Sequence, residues 1–198
     1  MKKRFLSRLS ACALFFAAPA MASGPAWVAT WQASPQPVWD KEFPFPTNLP
    51  MSLGDRTIRQ VARVSLGGPR LRIVLSNTYG SQPMRIGKAT VAMPGEGGGV
   101  VADSIRTVTF GGRSDASIPP GASLVSDPVA LSVPALSQVS ISVYLPEAIP
   151  VTGFHWDGKQ TAWIAPGDQV VAGVLRDAEA TTARPLLSGI QVETTTPR

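Results

Sequence analysis

Proline and glycine punctuation constrains this chain more than any other feature: 19 prolines and 18 glycines are spread over 198 residues. Proline removes a backbone donor and glycine loosens the backbone, so helix interiors tolerate neither well. Past the N-terminal stretch, unbroken runs long enough for a helix are nearly absent, and what lies between the breaks is short and often alternating. Residues 139–145 put Val139, Ile141, Val143 and Leu145 on one face and Ser140, Ser142 and Tyr144 on the other. That is the period of a half-buried strand, ending at Pro146. Residues 58–66 set Ile58, Ala62, Val64 and Leu66 against Arg59, Arg63 and Ser65. Gly67-Gly68-Pro69 then breaks the chain before residues 71–76, with Leu71, Ile73 and Leu75 inward, a spacing that predicts a hairpin.

Asn77-Thr78-Tyr79-Gly80 predicts a second turn, with Asn77 suited to an Asx turn and Gly80 to positive φ. Further strands are predicted over 27–32, 84–93, 104–110, 123–131, 161–164 and 186–192, with loops at 95–99 and 111–112. Many short strands without a credible helix indicate an all-β fold, an antiparallel β-sandwich or jelly-roll-like single domain. The exception is 34–55, which carries five prolines and the aromatics Trp39, Phe43 and Phe45. It is expected to wrap over the core, because those phenylalanines are costly to leave wet.

The first residues read as a leader. Lys2, Lys3, Arg4 and Arg8 precede an apolar run from Leu9 to Ala20, and Ala20-Met21-Ala22 is a small-x-small cleavage site. Residues 1–22 are therefore expected to be a signal peptide and 23–198 the β domain, exported to the periplasm or the medium. Cleavage takes four of the 18 basic residues away and leaves 14 against 13 acids, so the net charge falls from +5 to +1. The basicity belongs to export, and a nucleic-acid partner, which needs a basic face, is not expected. Cleavage also removes Cys12, the single cysteine, so the mature chain has no disulfide or thiolate metal site. Leu9-Ser10-Ala11-Cys12 resembles a lipoprotein box, but its apolar run follows the cysteine instead of preceding it. No later run reaches the roughly 18–20 apolar residues of a membrane span.

Candidate chemistry is sparse. A Ser-His-Asp arrangement would have to use His155, the single histidine, whose neighbours Phe154 and Trp156 suggest a structural setting. There is no G-x-S-x-G elbow. One histidine, no mature cysteine and no Asp-x-Asp run give no metal site and no cofactor. Gly87-Lys88-Ala89-Thr90 and the glycines at 95–99 lack the spacing and following helix of a phosphate loop and read as turns. The scattered carboxylates offer no pair suited to glycoside hydrolysis. Trp31, Trp39, Trp156 and Trp163 are potential sugar-stacking rings, each with core burial as the plainer reading. Trp39, in the proline-rich segment, is the best of them, and Trp39, His155 and Trp156 are the candidate substrate-binding residues.

The order of segments carries a resemblance. Trp27-Val28-Ala29-Thr30-Trp31-Gln32-Ala33-Ser34-Pro35 is followed by Thr57-Ile58-Arg59-Gln60-Val61. The run from Val64 to Gly80 comes next, then Ile118-Pro119-Pro120-Gly121, Ser126-Asp127-Pro128-Val129, Val133 to Ser137 and Tyr144-Leu145-Pro146. Taken together, 27–190 resembles the N-terminal β-rich region of secreted bacterial SGNH (GDSL-type) hydrolases. The resemblance implies a catalytic domain built on a Gly-Asp-Ser nucleophile block, an oxyanion hole with a Gly and an Asn, and an Asp-x-x-His block. Here Gly54-Asp55-Arg56 and Gly167-Asp168-Gln169 lack the serine, and Thr152 stands three residues before His155 where the aspartate belongs. No catalytic residue carries over. Leu187 to Val192 resembles the passage into that catalytic domain. The expectation is a non-catalytic accessory domain of an SGNH-type esterase, truncated or split from its hydrolase, partnered by that domain in cis or in trans. The alternative is a stand-alone carbohydrate-binding module whose partner is a polysaccharide.

Overall fold

The computed structural model describes residues 25–39 and 46–194; the leader, Cys12, Phe43 and Phe45 lie outside the described residues. In chain order the strands begin with β1 (Ala26–Gln32), β2 (Gln36–Pro37), β3 (Ser52–Leu53), β4 (Arg56–Arg63) and β5 (Leu71–Ser76). There follow β6 (Met84–Ile86), β7 (Lys88–Ala92), β8 (Arg106–Val108), β9 (Ala116–Ile118), β10 (Ser123–Val125) and β11 (Gln138–Leu145). The last are β12 (Ile149–Pro150), β13 (Gly153–Phe154), β14 (Ala162–Pro166), β15 (Glu179–Thr181) and β16 (Leu187–Thr194). The only helical turns among the described residues are short 3-10 pieces at Glu96–Gly98 and Ala102–Ser104. No described helix is long and apolar enough to cross a membrane. The fold is all-β and its sheets are antiparallel.

The two largest sheets have the orders β15-β14-β4-β11-β7-β8 and β1-β16-β5-β10, and three two-stranded sheets pair β12 with β3, β13 with β2 and β6 with β9. Alternation sends Ile58, Val91, Ile141 and Val143 from the first and Leu71, Ile73, Ile190 and Val192 from the second into one apolar cluster. Each of these side chains is almost fully removed from water, which is the main force holding the two sheets together.

The predicted hairpin between 58–66 and 71–76 does not form. β4 pairs along its whole length with β11 and, on its other side, with β14, while β5 pairs with β16 and β10. Gly67 and Gly68 instead carry the chain from one sheet to the other, pinned beside Val133, whose carbonyl would lie 2.5 Å from a Cβ at Gly67. Such closeness of two backbones needs glycine.

The strand expected over 84–93 breaks at Gly87. Met84 and Ile86 are buried before the break and Ala89 and Val91 after it, so the inward parity switches from even to odd. The Gly87 amide donates to the Tyr144 carbonyl at 2.9 Å, and the chain passes from β6, paired with β9, to β7, paired with β11. The 123–131 strand is likewise shorter than expected, ending as a strand at Val125. At the second turn Gly80 is not at positive φ. A Cβ there would meet Asn77 Oδ1 at 1.8 Å, so the glycine answers a lack of space, not a backbone angle.

Candidate functional site

The predicted site residues gather around the short strands β2 and β13. β13 pairs with β2, bringing Phe154 opposite Gln36, and His155 then exchanges two backbone hydrogen bonds with Arg184 at 3.0 and 2.9 Å. Phe154 is fully buried, whereas Trp39, His155 and Trp156 are half-buried. Trp39 meets Phe154 edge to face at 5.4 Å and Trp156 at 5.3 Å, and Trp156 Nε1 donates to the Pro46 carbonyl at 3.4 Å. The structure thus brings Trp39 and Trp156 into one aromatic cluster, with ring edges turned against ring faces, a favoured arrangement of aromatic quadrupoles.

His155 lies in the same stretch, but its Nδ1 is 3.2 Å from the main-chain oxygen of Ser34. Arg184, 2% exposed, gives Nη2 to the Val61 carbonyl and Gln160 Oε1, and its guanidinium lies 5.3 Å from the Trp31 ring centroid. Burial lowers its pKa, and Nη1 has no protein partner. Beneath His155 is a crevice of about 30 Å³ bounded by Pro35, Asn77, Tyr79, Phe154 and Arg184. A space of that size takes a few water molecules at most. An open cleft of about 550 Å³ lies between 48–50 and the edge strand β15, where Glu179 is the titratable group.

The two Gly-Asp blocks also come together, where β4 begins and its neighbour β14 ends. The Gly167 amide donates to the Asp55 carbonyl at 2.8 Å, and Thr57 Oγ1 donates to the Gly167 carbonyl at 2.7 Å. Tyr144 Oη donates to Asp55 Oδ1 at 2.9 Å, which raises the phenol's pKa, and Lys88 Nζ pairs with Asp168 Oδ2 at 2.6 Å. Both carboxylates are occupied as acceptors in a solvent-facing network. Among the described residues no group of His, Cys, Asp and Glu is arranged to hold a metal.

Sequence reasoning missed two features. Arg59, expected on the polar face of its strand, is fully buried on that face under the loops at 96–98 and 170–174. Trp27, read only as a strand residue, sits on the outward face of the four-stranded sheet with the Arg72 guanidinium 4.0 Å from its ring centroid. The alternation of 27–32 and 71–76 gives each residue its face, but nothing local says that the two strands share a sheet. A scan against protein-family models matches none, and a search of the curated proteins returns no relative.

Proposed function

We propose that this chain is an exported, non-catalytic β-sandwich accessory domain of an SGNH-type esterase, working beside a hydrolase domain in cis or in trans. The ordered segments from Trp27 to Ile190 motivate the reading, and the surroundings of His155 carry it. A triad histidine needs a hydroxyl on one nitrogen and a carboxylate on the other, beside a space for substrate. This imidazole faces a main-chain carbonyl, beside a narrow crevice of about 30 Å³, and no side-chain hydroxyl or carboxylate is bonded to it among the described residues. In this reading the domain positions or extends the hydrolase, and ester cleavage belongs to its neighbour.

Incubating the purified chain with a short-chain nitrophenyl ester tests it. The expected rate is that of buffer; turnover that His155→Ala abolishes would overturn the reading. Export is tested separately: the protein recovered from the periplasm or medium is expected to begin at Ser23.

A further inference from the structure

The outward face of the four-stranded sheet is built differently from the aromatic cluster around Trp39. Register places Trp27 opposite Glu193 and Ala29 opposite Gln191, with Gln191 in turn opposite Arg72. Val192 is fully buried in the core and Val28 is its strand partner, so by alternation Trp27, Glu193, Gln191 and Arg72 lie on the opposite face. Trp27 on β1 and Arg72 on β5 are separated by β16, yet their ring and guanidinium meet at 4.0 Å. The pair therefore arches over β16, and Glu193 beneath it is only 6% exposed. Arg70 holds that carboxylate through Nε at 2.5 Å and Nη2 at 2.6 Å. Arg72 Nε is buried with no protein partner. Asp127, fixed by Thr109 and by the amides of Gly111 and Gly112, is close enough to feel the Arg72 charge.

Two guanidinium groups and two carboxylates balance, so the face has no net charge with which to select an ion. What it offers instead is a half-buried indole held in place by a cation, with Ala29 and Gln191 paired beside it on the same face. Fixed hydrogen-bonding groups lie around the ring. A ring held before binding loses little entropy on contact. We propose that this face binds a neutral polysaccharide, with the apolar side of a sugar ring lying on Trp27 and its hydroxyls reaching the polar groups around Arg72. This does not depend on the accessory-domain reading and assigns the role to Trp27, not to Trp39 or Trp156.

The test is affinity electrophoresis of the full chain through gels containing arabinoxylan, galactomannan or a soluble cellulose derivative, with polygalacturonate as the charged control. At least one neutral polysaccharide is expected to retard the protein. Trp27→Ala is expected to weaken that retardation about tenfold or more, the size of effect typical for a central aromatic contact. Trp27→Phe should keep part of it and Trp39→Ala all of it. Indole N–H signals in a nuclear magnetic resonance titration of the unmodified chain give a second measurement should Trp27→Ala fail to fold. There the Trp27 signal is expected to move with added oligosaccharide. No retardation by any neutral polysaccharide, retardation by polygalacturonate alone, unchanged binding in Trp27→Ala, or a Trp27 signal that stays still would each overturn the proposal. Esterase activity in a chain that still binds through Trp27 would remove the accessory reading and leave this site standing.

Discussion

Arg59 Nε donates to Ser142 Oγ at 2.8 Å across adjacent strands, with both residues fully withdrawn from solvent. The guanidinium's remaining donors go to main-chain oxygens: Nη1 to Gly98 and Nη2 to Ala172. No carboxylate takes part in these bonds, and burial brings the Arg59 pKa down to about 10. The arrangement ties two loops to the outer face of the six-stranded sheet by hydrogen bonds to a charged donor. Such bonds are stronger than neutral ones and costly to leave half-made.

Arg59→Ala is accordingly expected to strand several buried carbonyls and destabilise the fold by about 3 kcal/mol or more. For a domain of this size that corresponds to a fall in Tm of roughly 6–12 °C. Thermal unfolding followed by circular dichroism checks it; a shift within about 2 °C would mean the clamp contributes little.

Gly80→Ala is expected to be strongly destabilising, because the new methyl would overlap Asn77 Oδ1, whose amide is engaged by the carbonyls of Gln82 and Ile118. The clash has one identifiable partner, so Asn77→Ala and Gly80→Ala should be non-additive. The double variant should recover at least about 0.5 kcal/mol relative to the sum of the singles in urea unfolding. Strict additivity would place the strain elsewhere.

Gly112→Ala tests the opposite situation. Gly112 has φ 79° with open space where a Cβ would go. The expected cost is backbone strain alone, about 1 kcal/mol, with the hydrogen bond from its amide to Asp127 retained. A loss above about 3 kcal/mol would indicate packing that the geometry does not contain.

Acid is expected to weaken the fold through Glu193 and Asp127. The hydrogen bond from Arg70 lowers the Glu193 pKa, and that from Thr109, followed by the Gly112 amide, lowers that of Asp127. A carboxylate with a depressed folded pKa contributes stability above its unfolded value, near 4 for these residues, and loses it as pH falls through the folded value. Unfolding free energy should therefore be flat near neutrality and decline below about pH 4.5. Glu193→Gln should make that decline shallower in urea titrations from pH 6 to pH 3, and an unchanged slope would contradict the assignment.

Strand positions were largely legible because period-two alternation is local. Residues 27–32, 71–76 and 139–145 form strands, with Leu71, Ile73 and Leu75 inward as the pattern requires. Strand partners were not legible. The short gap at Gly67-Gly68-Pro69 suggests a hairpin, but eight consecutive partners on β11 outweigh the local turn. Ser140 and Ser142 look like the wet face of a strand but are buried, Ser142 against Arg59, which reaches loops distant in sequence.

The candidate site divides in the same way. Trp39, His155 and Trp156 stand out in the sequence by a proline-rich segment and a lone imidazole, and the fold brings the two indole centroids to 5.3 Å. Trp27 has no local mark that separates it from a core residue. Its outward face and its guanidinium partner follow from the pairing of β1 with β16 and β16 with β5.

By itself, then, the order of amino acids determined the class of fold, because proline, glycine and alternating side chains act through their immediate neighbours. Which strands share a sheet, which arginine lies under a loop and which tryptophan faces outward were decided only by the tertiary structure. Those outcomes depend on contacts between residues far apart in the chain, such as Trp27 and Glu193 on paired strands, and no local preference encodes so distant a partner.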